Sequence, residues 1–203
     1  MAARVAFAVL VVTAIVFAAQ ACEPETLGDY FIPPGVDRNN IGSDYFTSTL
    51  LRGEPVIAAG AKFSAKRLGS NEFPVLTNLA VSSALLKYLP EGINPFHIHP
   101  RGTELLIVLK GTLNVGLIDT ANKLFTAVLQ EGDVFVFPKG LVHYQINLSR
   151  LPVIAYAAFS SSNPGTVSLP VTLFGTGIPK VVHETAFKVH KLVIDKLEAP
   201  FRN

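Results

Sequence analysis

The 203-residue sequence contains one cysteine, no tryptophan and few charged residues. A single thiol cannot form an intramolecular disulfide, which excludes the disulfide-stapled scaffolds common among small secreted proteins. Charged residues make up 16% of the chain, and 17 basic against 15 acidic side chains give a formal net charge of +2. Nucleic-acid-binding domains usually carry a clustered basic face, so this balance argues against a nucleic-acid partner. Hydrophobic residues reach 49%, which is enough for one compact core.

The longest apolar run lies at the N-terminus and has the features of a targeting signal. Arg4 precedes an apolar stretch from Val5 to Ala19, and Ala19-Gln20-Ala21 matches the small-x-small pattern of a signal-peptidase site. The stretch is shorter than the ~20 residues that a membrane-spanning helix needs. We therefore predict a secretory signal peptide over residues 1–21, a single domain over residues 22–203, and a secreted protein without a membrane anchor.

The rest of the chain has the pattern of an all-β domain. An arm from Glu23 to Gly35 carries three prolines and is predicted to lie extended over the body. Short runs rich in β-branched and aromatic residues then follow at intervals of roughly 8–12 residues, which is typical of an antiparallel sandwich or barrel. These runs are 56–65, 79–89, 103–109, 112–118, 124–129, 134–137, 142–148, 152–159 and 166–174. Lys110-Gly111 is interpreted as a tight hairpin between two of them.

The apolar residues change to a helical spacing after Pro179. This spacing predicts a C-terminal helix with one apolar stripe. The stripe positions, three or four residues apart, are Val182, Ala186, Val189 and Val193. His183 and His190 lie seven positions apart on the same helix, and we interpret them as solvated or subunit-contact residues rather than as ligands.

Two segments bring histidines together with a carboxylate. His97 and His99 are two positions apart, so in a strand both imidazoles point to one face. Glu104 follows after a turn, and His143 closes a Gly-x5-Pro-x-Gly-x2-His box over residues 132–143. An H-x-H pair alone is a weak signal, because most such pairs are ordinary strand histidines. The whole constellation, however, offers three imidazoles and a carboxylate, which can hold a divalent metal and leave open coordination positions.

The two segments resemble the two sequence boxes of the germin-like proteins, a family of secreted plant cupins with a single domain. The first box reads HIHPRGTE and continues to a glycine over residues 97–111, and the second reads GDVFVFPKGLVHYQIN over residues 132–147. The resemblance covers nearly the whole chain after the predicted signal peptide. It implies a cupin β-jelly-roll barrel with short C-terminal α-helices and an extended N-terminal arm. It also implies Mn²⁺ bound by residues that match His97, His99, Glu104 and His143.

The resemblance further implies a homo-oligomer, a hexamer built as a trimer of dimers, located in the extracellular space of the apoplast or cell wall. The family is associated with defence and stress responses. Two departures from the germin pattern affect these expectations. Many germins pair two cysteines near the mature N-terminus, whereas this chain has only Cys22. Oxalate-oxidising germins are similar around Asn94, the substrate-pocket candidate, but place another asparagine ten residues earlier, where this chain has Ala84.

The substitution at position 84 bears on the choice among three functions. The loss of an amide that orients a dicarboxylate is worth about 1–3 kcal/mol if its partner stays buried and unsatisfied, so we expect little oxalate turnover. The leading function is manganese-dependent superoxide dismutation, in which the metal alternately takes and gives an electron. The second is oxalate oxidation with release of hydrogen peroxide. The third is a non-catalytic cupin whose cavity binds a small apolar acid such as an auxin-like molecule.

Asn147-Leu148-Ser149 is an N-glycosylation sequon. Strand alternation from His143 through Gln145 places Asn147 on the inward face, where a glycan does not fit. We therefore interpret the sequon as unfavourable for glycosylation. The ligand types also leave the metal open among Mn, Fe, Zn and Cu, because imidazole suits several of these ions and the carboxylate only favours Mn.

Overall fold

A computed structural model of the protein describes residues 23, 24, 26 and 28–201, and the predicted signal peptide and Cys22 lie outside them. Ten strands occupy the middle of the chain: β1 (Phe63–Leu68), β2 (Ser82–Tyr88), β3 (Ile93–Ile98), β4 (Glu104–Lys110), β5 (Leu113–Ile118), β6 (Leu124–Leu129), β7 (Val134–Phe137), β8 (Val142–Ile146), β9 (Val153–Phe159) and β10 (Val167–Ser168). Three short helices follow: α1 (Leu169–Phe174), α2 (Lys180–Phe187) and α3 (Lys191–Glu198). None of the described helices has the length and apolar character needed to cross a bilayer.

The strands form two antiparallel five-stranded sheets that enclose the core. The first sheet has the order β1-β2-β9-β4-β7, and the second has the order β10-β3-β8-β5-β6. Burial alternates residue by residue along β2, because successive side chains of a strand point to opposite faces of the sheet. The largest fully buried apolar side chains between the sheets include Tyr88, Leu106, Leu113 and Phe137. The predicted all-β jelly-roll barrel with short C-terminal helices is therefore confirmed.

The interpretation of Lys110-Gly111 as a hairpin is wrong. β4 pairs with β7 and β9, whereas β5 pairs with β6 and β8, so the two strands that flank this turn belong to different sheets. Gly111 has a φ of +88°, a backbone conformation that favours glycine, and a Cβ there would lie 3.1 Å from the carbonyl oxygen of Pro152. The turn therefore carries the chain from one sheet to the other.

Two predicted strands are shorter than expected. The run 56–65 is a strand only from Phe63, because residues 58–61 form a turn and Val56 is 84% exposed without a partner strand. The run 166–174 is a strand only at Val167–Ser168, after which α1 begins. Pro170 lies in the first turn of α1, where its missing N–H has no helical partner to lose.

The C-terminal tail forms two helices where the spacing predicts one. Lys188 ends α2 in the left-handed conformation, with a φ of +53°. The Nδ1 atom of His190 then accepts a hydrogen bond from the backbone N–H of Leu192 at 3.3 Å and caps α3. This break divides the predicted apolar stripe between two helices. Two residues of the stripe, Val182 and Val193, are 50% and 44% exposed.

His183 is the second correction in the tail. It was predicted to be solvated or at a subunit contact, but it is 3% exposed in the single chain. Its ring lies 5.3 Å from the ring of Phe174, measured between centroids, because α2 packs this side chain towards α1.

The N-terminal arm is tied to the barrel by Glu23. Its carboxylate accepts hydrogen bonds from the hydroxyl of Ser161 and from the backbone N–H groups of Ser162, at 2.6 Å, and Ala80, at 3.0 Å. Burial acts to raise the pKa of Glu23, but the bonds from Ser161 and Ser162 outweigh it and lower that pKa. Farther along the arm, the ring of Tyr30 packs with those of Tyr45 and Phe46, which follow the arm in the chain.

Candidate metal centre

The four predicted ligands converge between the two sheets. His97 is on β3, His99 follows that strand, Glu104 begins β4 and His143 is on β8. One ligand atom from each residue lies within 4.8 Å of the others. All four side chains are buried, with 1–6% of their surface exposed. The structure thus brings these residues together in one metal-binding group.

Strand pairing explains how residues distant in sequence meet. His97 is the direct partner of His143 in the β3–β8 pair, after a register irregularity that begins at Asn94. Directly paired residues point to the same face of a sheet, so the two imidazoles enter the barrel side by side. Glu104 is paired with Phe137 in the first sheet, and the ring of Phe137 stacks on that of His143 at 4.4 Å between centroids. The carboxylate of one sheet therefore faces the imidazoles of the other.

Backbone carbonyl groups orient the three imidazoles. The Nδ1 atom of each ring lies 2.5–2.8 Å from a carbonyl oxygen. The acceptors for His97, His99 and His143 are Pro95, Gly165 and Leu141, respectively. A carbonyl oxygen only accepts, so Nδ1 carries the proton and the neutral ring keeps its lone pair on Nε2. Metal-binding histidines typically have this arrangement, in which the second nitrogen donates to an outer acceptor.

The Nε2 atoms of His99 and His143 face Oε2 of Glu104 at 3.0 and 3.3 Å. When such a ring is neutral its proton lies on Nδ1, towards the carbonyl, so the lone pair of Nε2 points at the lone pairs of the carboxylate oxygen. Such a cluster repels itself unless positive charge lies among the donor atoms. A divalent cation supplies that charge through bonds of ~2.0–2.3 Å. The residues present therefore fit a bound metal ion.

The ionisation of the group also suits a metal. Burial opposes the charged form of Glu104, but its interactions with the adjacent rings of His143 and His99 outweigh it and lower the pKa of Glu104 to about 2. Burial lowers the pKa of His97 to about 4, and the nearby His143 adds to this shift. Near neutral pH the carboxyl group is therefore ionised and the imidazole of His97 is neutral. These are the protonation states in which both residues bind metals.

A chain of hydrogen-bonded polar side chains holds the second carboxylate oxygen of Glu104, Oε1. Gln145 is fully buried and donates from Nε2 to Oε1 of Glu104 at 3.1 Å. The Oε1 atom of Gln145 accepts from Nδ2 of Asn94 at 2.8 Å and from the hydroxyl of Tyr88 at 3.3 Å. Burial, and then the charge of Glu104, raise the pKa of Tyr88 well above its ordinary value, so its hydroxyl stays a donor.

Gln145 and Tyr88 were not identified as site residues by sequence analysis. The inward alternation from His143 to Gln145 carried a signal for the glutamine. Nothing comparable marks the tyrosine, whose contact with Gln145 depends on the packing of one sheet against the other.

A cavity of about 290 Å³ leads to the metal-binding group. Asn94, the predicted substrate-pocket residue, lines it together with His97, His99 and Glu104. The Nδ2 atom of Asn94 also lies 3.3 Å from Nε2 of His97. Ala84 lines the same cavity and offers only a methyl group there.

Asn147 of the sequon is fully buried. Its Nδ2 atom donates to the carbonyl oxygens of Tyr88 at 3.2 Å and Leu151 at 2.8 Å, and its Oδ1 accepts from the backbone N–H of Ser149 at 2.9 Å. Both amide hydrogens are therefore used inside the fold, and an attached glycan would replace one of these bonds. The absence of glycosylation at Asn147 stays a prediction.

Comparisons with known proteins agree with this fold and this site. Residues 54–194 match the cupin family. The chain is similar to Germin-like protein 9-3 of Oryza sativa subsp. japonica, with 44% identity over 194 residues that cover 93% of this chain and 91% of that protein. It is also similar to a solved oxalate oxidase, with 33% identity, a TM-score of 0.83 and coverage of 88% of this chain and 98% of the other.

A second solved structure, oxalate oxidase in complex with the substrate analogue glycolate, is 32% identical and has a TM-score of 0.82. The match covers 88% of this chain and 98% of the other. The curated relative and the family match extend over most of the chain and include all four ligand positions. The chain therefore belongs to the germin-like proteins of the cupin family.

Proposed function

We propose that the protein is a secreted, manganese-binding germin-like protein of the plant apoplast or cell wall that acts in defence or stress responses through superoxide dismutation. The observation that carries the proposal is the buried group of three imidazoles and one carboxylate beside a cavity. Imidazole accepts several first-row metals, and the carboxylate favours Mn²⁺ among them. The germin resemblance supports the same ion.

The surrounding residues suit chemistry on a small anion. When bound, a redox-active metal supplies the one-electron chemistry that converts two superoxide ions and two protons to dioxygen and hydrogen peroxide. Glu104 is ionised at neutral pH and the neutral ring of His97 keeps its lone pair, so both hold the centre without first losing a proton. Gln145 fixes the second oxygen of Glu104. Asn94 places an amide N–H at the cavity wall beside His97.

The test is metal analysis of the purified mature protein, joined to superoxide and oxalate assays on the same sample. We expect one manganese ion per chain, and superoxide removal that disappears on chelation and returns with Mn²⁺. A protein that binds no metal contradicts the site. A protein that is fully loaded with manganese but inactive towards superoxide contradicts the activity alone.

Oxalate oxidation is the second candidate, because the solved oxalate oxidase is 33% identical over 98% of its length. Against it, Ala84 presents a methyl group to the cavity, so a bound oxalate would lack one orienting contact. A misplaced substrate can cost about 10²-fold in rate. We therefore propose negligible peroxide release from oxalate. A gain of oxalate-dependent peroxide in Ala84→Asn would support this account, and strong activity in the unchanged protein would contradict it.

We also propose that residues 1–21 are removed, and that the single cupin domain of residues 22–203 assembles as a hexamer, a trimer of dimers. The outer face of the first sheet supports association, because Leu105, Val134 and Val136 are 47%, 52% and 47% exposed. Exposed apolar patches often mark protein contacts. Light scattering should give several times the mass of one chain, and a clean monomer would contradict the assembly.

A further inference from the structure

A short loop connects the two sheets beside the metal-binding group. Residues 160–166, the 160–166 loop, follow β9 of the first sheet and lead to β10 of the second. The backbone carbonyl of Gly165 in this loop accepts the hydrogen bond from Nδ1 of His99 at 2.5 Å. Residues 162–166 also line the cavity. The position of the loop therefore sets the orientation of one predicted ligand and the shape of one cavity wall.

The N-terminal arm anchors the start of this loop. Oε1 of Glu23 accepts hydrogen bonds from the hydroxyl of Ser161 and from the backbone N–H of Ser162 at 2.6 Å, and Oε2 accepts from the backbone N–H of Ala80 at 3.0 Å. Ser161 and Ser162 are only 1% and 6% exposed. Because a buried donor that loses its acceptor costs free energy, the carboxylate of Glu23 stabilises the loop in this conformation.

Further contacts extend from this anchor to Gly165. The hydroxyl oxygen of Ser161, which donates to Glu23, also accepts from the backbone N–H of Asn163 at 3.1 Å. Arg101 donates from Nε to the carbonyl oxygen of Asn163 at 2.7 Å and from Nη2 to its Oδ1 at 2.9 Å. A Cβ at Gly165 would lie 2.8 Å from Nη2 of Arg101, so the glycine backbone packs against this guanidinium. A continuous series of contacts therefore joins Glu23 to the carbonyl that orients a ligand.

The arm has no covalent link that could replace this anchor. The chain contains one cysteine, so no intramolecular disulfide fastens the arm to the barrel. Asp29, which lies on the same arm, pairs with Arg38 at 2.8 Å, outside the barrel. The two acidic side chains thus have different partners, and Asp29 offers a matched control for Glu23.

We propose that Glu23 is a positioning residue for the metal-binding group. By fixing the start of the 160–166 loop, it holds the carbonyl of Gly165 in the place where that carbonyl orients the imidazole of His99. The inference rests on the metal site of the proposed function and not on its superoxide activity. It goes beyond that function, because it makes metal affinity depend on the docking of the N-terminal arm.

Metal affinity is the first test. Competition with a chelator of known affinity measures Mn²⁺ binding by the full mature protein. Glu23→Ala should weaken binding about 3–10-fold, which is less than the 10–100-fold that follows the loss of an outer hydrogen-bond partner itself. Glu23→Gln keeps an acceptor oxygen without the charge, so its affinity should lie between those of Glu23→Ala and the unchanged protein.

Asp29→Asn is the control, because it removes a negative charge from the same arm without touching the loop. It should bind Mn²⁺ like the unchanged protein. Equal affinity in Glu23→Ala and the unchanged protein would overturn the proposal.

The second test follows the imidazole protons of the metal-free protein by NMR, with isotopically labelled histidine. The Nδ1–H of His99, assigned by its absence in His99→Gln, should exchange with solvent at least about fivefold faster in Glu23→Ala, because its acceptor opens more often. The Nδ1–H of His143 donates to Leu141, outside the loop, and should keep its exchange rate. Equal acceleration at both rings would mean a general loosening of the barrel and would overturn the proposal.

The two tests separate this inference from the proposed function. A protein that binds Mn²⁺ but does not remove superoxide leaves both measurements intact. If the unchanged protein binds no Mn²⁺, the proposed function fails, and the exchange at His99 still decides whether Glu23 positions that ring.

Ser161→Ala keeps the proposal testable if Glu23→Ala does not fold. It removes the hydroxyl that joins Glu23 to Asn163, so it should also accelerate exchange at His99 more than at His143. The same exchange rates in Ser161→Ala, Glu23→Gln and the unchanged protein would overturn the proposal.

Discussion

The buried histidines of the barrel and the buried histidine of the helical tail use their ring nitrogens differently. The three barrel histidines are 1–6% exposed and His183 is 3% exposed, so burial does not separate them. Each barrel ring donates from Nδ1 to a backbone carbonyl. Neither nitrogen of His183 has a hydrogen-bond partner in the described part of the chain, and Oε1 of Glu198 lies 3.5 Å from its Nδ1.

This difference separates a ligand from a core residue. A carbonyl partner fixes the tautomer of each barrel ring and presents its Nε2 lone pair to a shared point. His183 instead packs beside Phe174 and Phe187, with ring centroids 5.3 and 6.1 Å away, and its buried nitrogens lack such a partner. We therefore expect substitutions in the barrel to change metal affinity, and substitutions of His183 to change only the free energy of unfolding.

His99→Ala should have the largest effect. It removes one ligand, so metal affinity should fall by more than the roughly 10–100-fold that accompanies loss of an outer hydrogen-bond partner. The melting temperature in the presence of metal should fall as well, because metal binding stabilises the folded state. Metal analysis after dialysis and thermal melts measure both. His190→Ala, at an exposed histidine that caps α3, is the control for metal content but not for the melts. Equal metal content in the two variants would remove His99 from the ligand set.

Acid should destabilise the metal-free protein, prepared by treatment with a chelator, through the titration of His97. Its folded-state pKa is about 4, below the ordinary 6.5, so between these values the unfolded chain binds a proton that the folded protein does not. The free energy of unfolding is therefore unaffected by His97 above pH 6.5 and falls as the pH drops from there. At about 1.4 kcal/mol per pKa unit, the loss by pH 4.5 is about 3 kcal/mol.

Urea unfolding of the metal-free protein between pH 7 and 4.5 measures this decrease in the free energy of unfolding. Glu104 contributes little in this range, because its pKa is lowered from 4.5 to about 2 and most of its own loss comes below pH 4.5. His97→Gln should show a correspondingly smaller decline. An identical decline in both proteins would mean that another group causes it.

Gln145→Leu should weaken metal binding about 10–100-fold, as loss of an outer partner usually does. The substitution removes the hydrogen bond to Oε1 of Glu104 and the acceptor of Asn94 and Tyr88. Competition with a chelator of known affinity measures the change. Gln130→Leu, at an exposed glutamine, should bind metal normally. Unchanged affinity in Gln145→Leu would show that Glu104 needs no support from this side.

His183→Leu should have the smallest effect, and of the opposite sign. Replacing buried polar atoms that lack partners with an apolar side chain should leave the free energy of unfolding unchanged or raise it by about 1 kcal/mol. Urea unfolding at pH 8 measures the change in the free energy of unfolding. Metal analysis of the same variant should show unchanged metal content. A loss of more than about 1 kcal/mol would show that the contact with Glu198 stabilises the tail.

The sequence predicted the parts of the molecule that depend on local pattern. Runs 124–129 and 134–137 match β6 and β7 residue for residue, and strand alternation placed His97 and Asn147 on the inner face. Parts that depend on distant pairing were missed or wrong. The turn at Lys110-Gly111 resembles a hairpin locally, and only the partners of the flanking strands show that it joins two sheets.

The same limit applies to the candidate site. The ligand set followed from the two boxes, whereas the contact of Tyr88 with Gln145 depends on how β2 of the first sheet faces β8 of the second. The break at Lys188 was missed because its left-handed backbone conformation does not alter the spacing of apolar residues in the sequence.

The metal-binding group draws its donors from both sheets, with Glu104 on the first and His97 and His143 on the second. Each sheet is held by its own ladder of backbone hydrogen bonds, while the contacts between the sheets are those of side chains. An ion bound here would link the two sheets through its bonds to Glu104 on one side and to His97 and His143 on the other. The sheets could not separate until the bonds to the ion broke, so metal binding would slow unfolding and, with it, cleavage by proteases.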